Sequence, residues 1–533
     1  MDIDCLPFRQ TGYFSDLISD YIEGKENLKP FYNRFPKLEN FKDQMAEKSD
    51  NFPEENRAIL YDALLEQYVD ISISNKTKIN LRQLKEPITF TVTTGHQLNL
   101  FTGPLYFLYK IITTINLTLE LKKAYPQFNF VPVYWMATED HDFEEINYFN
   151  FNTKKLQWNK NASGAVGQLN TEGLEEVFRT FANGLPDGNN SELLKKLFQE
   201  SYLKQYDLAQ ATRFLANELF GDYGLVIIDG DHKNLKGLLI PYARKDILEN
   251  VSYTKVSETI SKLKEFPEGY TVQVNPREIN YFYLKENLRE RIITKRDKFY
   301  VNNTGIEFSK AELLDELENY PERFSPNVIS RPLYQEIVLP NLCYIGGGGE
   351  LAYWLELKTS FESNKVTFPI LLPRNSALVI SQKQHRKLEK MNLSVTDLFL
   401  KQSSFINKKI REISNIEIDF SSQKNQLKAQ FKALYEVAEQ TDKSFLGAVK
   451  AQEAKQIKGL DNLEKRLLKA QKRKLKDHVQ RMTELQNELF PNKSLQERNL
   501  NFSELYLDYG KELIPMLMKD LQPLKIDFSI LRH

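Results

Sequence analysis

Short runs of β-branched and aromatic residues alternate along this chain with longer stretches whose apolar positions recur at helical spacing. From Met1 to about Lys85 the pattern is polar and helical, with Ile59, Leu60, Leu64, Leu65 and Tyr68 at helical intervals. The texture then changes. Ile88-Thr-Phe-Thr-Val-Thr93 predicts a strand that stops at Thr94-Gly95-His96-Gln97. Leu105 to Leu121 is apolar on most faces and predicts a buried helix. Phe128 to Trp135 predicts a second strand, running into Thr138-Glu139-Asp140-His141-Asp142. Strand, helix, strand in this order is a βαβ unit with a right-handed crossover.

Three further apolar runs end in polar or glycine-rich loops. Leu225-Val-Ile-Ile228 leads to Asp229-Gly230-Asp231-His232, and Leu342-Cys-Tyr-Ile345 leads to four glycines and a helix from Glu350. Phe368-Pro-Ile-Leu-Leu372 leads to Pro373-Arg374-Asn375-Ser376. The regions Lys154 to Phe220 and Leu235 to Pro326 read as insertions in a doubly wound α/β core. In the second, Tyr270–Val274, Phe282–Leu284 and Arg291–Ile293 predict antiparallel strands.

From Ser421 to Phe490 there is no proline and the apolar residues fall at heptad-like intervals. Leu427, Phe431, Leu434 and Ala438 form one seam, and Leu460, Leu463, Leu467 and Ala470 another, which shifts by one and resumes at Leu475, Val479 and Met482. Thr441-Asp442-Lys443-Ser444 is the turn of a helical hairpin. Its second arm is about twice the first, so the surplus seam needs a cover: a second copy of the chain, the helix Ser394 to Ser414, or the C-terminal segment. The expected division is a core at 1–390, a helical coiled-coil domain at 391–490 and a segment at 491–533 that returns to the core.

Composition narrows the function classes. A chain of 533 residues exceeds one compact core. Lys and Arg total 72 and Asp and Glu total 72, a balance that argues against a dedicated nucleic-acid binder. Aromatic residues at 12% exclude a disordered chain. Two cysteines, Cys5 and Cys343, cannot build a disulfide framework or a Cys-rich zinc site. The N-terminus lacks an apolar signal core, and no stretch approaches the ~18 apolar residues of a membrane helix. A cytoplasmic protein with no membrane or nucleic-acid partner is expected.

In an open α/β sheet, ligands bind beyond the carboxyl ends of the strands, and five strand ends here carry polar or glycine-rich signatures. His96, Gln97 and Asn99, after Gly95, are expected at a helix start, where free N–H groups favour an anion and a histidine can stabilise developing charge. The plainer reading is a turn whose histidine satisfies a carbonyl. Glu139, Asp140, His141 and Asp142 form the densest cluster; a carboxylate beside His141 would fix its tautomer for acid–base work or for binding an amine. The plainer reading is an exposed acidic loop. Gly346, Gly347, Gly348 and Gly349 offer close backbone approach to a ligand, though neither a dinucleotide fingerprint nor a P-loop is present. Arg374 is a candidate phosphate or carboxylate clamp.

The blocks TTGHQLNLFTGPLYFLYKI, PVYWMATEDHDFEEIN, RPLYQEIVLPNLCYIGGGGELAYW, PILLPRNS and LQERNLN resemble the bacillithiol-biosynthesis cysteine-adding enzymes, from about Pro87 to the C-terminus. The resemblance implies a Rossmann-like core with connecting-peptide insertions, similar to class I aminoacyl-tRNA synthetases, and an antiparallel coiled-coil domain that forms a homodimer. It implies a ligase that joins L-cysteine to the amine of glucosaminyl malate in the last step of the pathway. ATP is then the co-substrate, by analogy, and no metal is expected beyond the Mg²⁺ that can accompany it. On this reading His96, Asn99, Asp140, His141 and Asp142 are catalytic, and Gly95, Gln97, Glu139, Asp231 and His232 bind substrate. Gly346 to Gly349, Glu350, Arg374, Asn375 and Ser376 bind the nucleotide, joined by Gln496, Glu497 and Arg498 from the LQER turn.

Two rivals remain. A metal-dependent hydrolase could use His96, Asp140, His141 and Asp142 with water as nucleophile. A non-catalytic dimeric scaffold would make the coil the working part.

Overall fold

The computed structural model describes residues 4–267, 269–296 and 298–533. They form two compact units, Met1–Leu378 with Gln496–Leu531, and Val379–Leu495 with Arg532–His533.

The first unit is built on five strands, β1 (Thr89–His96), β2 (Asn129–Met136), β3 (Val226–Asp229), β4 (Asn341–Gly346) and β5 (Ile370–Pro373). All neighbours are parallel, in the order β5-β4-β1-β2-β3. β1 is buried at every position, as befits a parallel sheet covered on both faces. The helix Tyr106–Ala124 joins β1 to β2, and its Leu117 and Leu121 meet Phe90, Val92, Ile345, Ile370 and Leu372 in one core. The helix Asn40–Asn51 of the lead segment adds Phe41 and Met45 to it. This is a Rossmann-like sheet. Its strand order runs outward from β1 in both directions, so it reverses between β1 and β4, and such a switch point opens a crevice at the carboxyl ends.

The strand pairing corrects one expectation. β1 continues beyond Thr93 in register with β2, ending with His96 opposite Met136. The next long helix starts only at Tyr106. His96 therefore ends the strand, and Gln97 and Asn99 lead into a single 3-10 turn, Leu100–Thr102, rather than into the long helix.

The first insertion is mostly helical, with Leu174–Gly184, Asn189–Phe198 and Leu208–Phe220. The second holds the antiparallel strands Tyr281–Lys285, Leu288–Lys295, Lys298–Val301 and Glu307–Phe308, with Phe324–Pro326 on the other side of the first of these. Tyr270–Val274 is not a strand. Its groups bond side chains instead of a ladder: the Gln273 N–H donates to Glu356 Oε1 (2.8 Å) and the Tyr270 hydroxyl to Asp20 Oδ2 (2.6 Å).

In the second unit, Ser421–Ala438 and Lys443–Lys474 form the hairpin, burying Phe431, Ala438 and Val449 between its arms. Asp442 Oδ1 accepts the N–H groups of Ser444 and Phe445 and so caps the second arm at the expected turn. Leu475 leaves helical geometry (ψ 30°) where the heptad seam shifts, and a separate helix, Lys476–Leu489, follows. Met482, Leu485 and Leu489 on that helix are buried, against Gln402–Ile413, which buries Phe405, Ile406 and Ile410. Gln486 Nε2 also donates to the carbonyls of Leu398 and Leu400 (2.8 and 2.9 Å). The chain buries Met482 and Leu489 of the surplus seam and partly covers Leu475 and Val479, so that seam does not require a second copy.

Candidate active site

A cavity of about 1030 Å³ opens at the switch point, lined by the carboxyl ends of β1, β2, β4 and β5 and by the second insertion. Parallel strands deliver their loops to one rim, which is how distant blocks of sequence meet here.

His96 closes β1 with its ring 7% exposed, edge-on to Tyr106 at 5.5 Å and against Phe107 at 5.1 Å. Burial, and then the cations Lys110 and Arg374, hold its imidazole well below the usual histidine range, so it is neutral. Its Nε2 is buried without a hydrogen-bond partner. Lys110, within the apolar helix, sends Nζ to the Gly95 carbonyl (2.8 Å) and to Glu350 (2.6 Å). Burial pulls its ammonium below the usual lysine range, against the pull of Glu350. Glu350 also accepts the Gly347 N–H (2.7 Å) and the Tyr344 hydroxyl (3.2 Å). Gly347, Gly348 and Gly349 line the cavity, whereas Gly346 does not: its Cα faces Tyr344, Glu350 and Leu351.

Another part of the lining is acidic. Gln97 Nε2 bridges Asp140 (2.8 Å) and Glu145 (2.9 Å), and Asn99 donates to the Glu145 carbonyl (3.3 Å). Glu139 pairs with the buried Lys236. His141 is half-exposed, with Nδ1 2.6 Å from Arg289 Nη1 and 3.7 Å from Asp140 Oδ1. A guanidinium can only donate, so Nδ1 accepts and the imidazole proton sits on Nε2.

Several expected residues lie elsewhere. Asp142 is exposed, and Asp231 and His232 stand outside the lining: Asp231 accepts from Gln168 (3.2 Å) and His232 Nε2 meets Glu66 (2.9 Å). Burial and the Glu139 charge push the Asp231 carboxyl up to about 7. Arg374 does reach the cavity, but its Nη2 binds Glu497 (2.8 Å), which is fully buried and also accepts from Ser376 and the Ala377 N–H. Asn375 is spent on Thr113 and the Gln522 carbonyl, and Gln496 is buried. Asn375, Ser376 and Glu497 thus face protein, because they tie the C-terminal segment to the residues after β5, and Gln496 is buried; Arg498 alone of the LQER turn lines the cavity. The same segment secures the first block: Asn501 Nδ2 donates to the carbonyls of Phe101 (2.8 Å) and Gly103 (2.6 Å), where Phe101, Thr102 and Gly103 all have positive φ.

Among the described residues no three His, Cys, Asp or Glu side chains group as metal-ion ligands. His96 points toward cations and His141 toward Arg289, so the four residues of the hydrolase reading do not converge. Sequence reasoning missed Lys110, Arg277, Arg289, Arg291 and Arg331, all on the cavity. Lys110 had a signal: it is the single charge in Leu105–Thr118.

Residues 1–375 match the family described as "Bacillithiol biosynthesis BshC, N-terminal Rossmann-like domain", and residues 377–533 match "Bacillithiol biosynthesis BshC, C-terminal coiled-coil domain". Relatives carry the name "Putative cysteine ligase BshC". One from Flavobacterium johnsoniae is 60% identical over 531 residues, 100% of each chain. One from Flavobacterium psychrophilum is 58% identical over 534 residues, 100% of each, and one from Christiangramia forsetii is 56% identical over 535 residues, 100% of this chain and 99% of that one. Among solved structures, one titled as a "putative arginyl t-RNA synthetase" from Campylobacter jejuni aligns with 84% of this chain and 98% of its own at 10% identity. Its TM-score of 0.20 is too low to speak to the fold.

Proposed function

The chain belongs to the BshC family of bacillithiol biosynthesis, whose members are named as cysteine ligases, and we propose that it joins L-cysteine to the amine of glucosaminyl malate after activating the cysteine carboxylate with ATP. The observation that carries this reading is the chemistry of the cavity. Lys110, Arg374 and the unpartnered His96 Nε2 form one group in its lining, and Glu139, Asp140 and Glu145 another. The first group suits phosphates, the second an amine held as its ammonium.

In the proposed reaction a carboxylate oxygen of cysteine attacks the α-phosphorus of ATP and pyrophosphate leaves. The sugar amine, once deprotonated, attacks the acyl carbon; the C–N bond forms as AMP departs. Neutral His96 donates from its ring to the phosphoryl oxygens and adds no charge of its own. His141 takes the amine proton once the Arg289 guanidinium moves off Nδ1. On this proposal the reaction runs in the cytoplasm, with a homodimer as the working form. Purified protein incubated with ATP, cysteine and glucosaminyl malate should yield the thiol together with AMP and pyrophosphate. Release of ADP and phosphate instead would overturn the adenylate.

A further inference from the structure

Some cations on the cavity have a carboxylate in ion-pair distance and others do not, Arg331 and Arg498 being among the latter for the described residues. Lys110 and Arg374 each have a carboxylate of their own, Glu350 and Glu497. Arg277, Arg289 and Arg291, from the second insertion, have none within ion-pair distance among the described residues. Arg289 lies in the field of Glu139, Asp140 and Asp231, whose charges favour its own, whereas Arg277 and Arg291 are exposed on the cavity with no carboxylate among the described residues to offset them.

Their supports are built. Arg289 and Arg291 are two apart on the strand Leu288–Lys295 and so project to the same face. Phe282 lies directly across from Arg291, and its ring carries the Arg289 guanidinium at 4.0 Å. Arg289 Nε donates to Ser325 Oγ (3.1 Å), which anchors the side chain while Nη1 meets His141. Arg277 follows the extended segment that Glu356 pins at the Gln273 N–H. Arg289 touches His141, whose other neighbour is Asp140, so the arginines adjoin the acidic group. The arrangement matches a molecule with an amine at one end and more than one carboxylate at the other, since planar forks bind carboxylates in bidentate fashion.

We infer that Arg277, Arg289 and Arg291 form the subsite for the dicarboxylate end of the amine acceptor and decide which acceptor is used. The inference rests on the ligase reading above. Calorimetry on the full chain, comparing glucosaminyl malate with its dimethyl ester, tests it. Wild type should bind the diacid at least ~10-fold more tightly than the diester. Arg277→Gln and Arg291→Gln, both at exposed positions, should each cut that preference by about 10-fold, and Arg291→Lys should restore part of it. A wild type without preference, or variants that keep it, would overturn the subsite. If the preference behaves as expected but ATP and cysteine give no thiol product, the reaction falls and the subsite stands. If product forms equally well from the diester, the subsite falls and the reaction stands.

Discussion

His96 shows how a residue chosen for its chemistry is also bound to the fold. Its imidazole is neutral in the native protein because burial and two nearby cations disfavour the charged form. In the unfolded chain it takes a proton near its ordinary value of 6.5. The unfolded state therefore binds more protons as the pH falls, and the stability contributed by His96 is present above about pH 6.5 and lost below it. Melting curves from pH 8 to 5 should show His96→Gln losing less stability over the acid limb than wild type; parallel curves would remove the buried neutral imidazole. Product formation should fall ~100-fold or more in His96→Ala, through loss of a donor at the phosphates. His96, Asp140 and His141 were legible because polar residues at the end of an apolar strand have few structural excuses. Arg289 and Arg291 were not, since on a half-exposed strand an arginine that faces a cavity reads the same as one that faces water.

At the scale of elements, the five buried strands could be read directly, as apolar and β-branched runs, alternating with Thr in β1, that stop at polar or glycine-rich loops. Tyr270–Val274 has the same alternation and is no strand, because pairing depends on a neighbour that the local pattern does not contain. LQERNLN is the more instructive miss. Its charged and amide residues suited a nucleotide, yet Glu497 and Asn501 act as ties from the last segment to the residues after β5 and to the positive-φ turn after β1. Breaking a buried ion pair strands the remaining charge. Arg374→Met should thus cost about 3–5 kcal/mol in urea unfolding, while Arg374→Met with Glu497→Leu should recover most of it. A single variant as stable as wild type would mean that the pair carries no structural load and that Arg374 is free for ligand.

At the scale of the whole molecule, the coil was legible and its cover was not, because heptads mark a seam without saying which helix fills it. With Met482, Leu485 and Leu489 buried inside the chain, the case for a homodimer moves to a different set of residues. Leu434 is 45% exposed, Val437 53%, Phe445 44% and Leu463 53%. Leu434 and Val437 close the first arm and Phe445 opens the second, so three of the four surround the hairpin turn. Leu463 lies about 27 Å further along the second arm at 1.5 Å per residue. Apolar side chains exposed at the turn and again at Leu463 are better covered by another hairpin than left in water, and a two-fold axis lets each arm serve the other. Light scattering at micromolar concentration should therefore give twice 62.3 kDa for the full chain. Val437→Glu and Leu463→Glu should shift it to the monomer with little change in melting point, because neither side chain is buried in its own chain. A wild-type protein that scatters at 62.3 kDa would end the dimer proposal and leave the strip for a different partner.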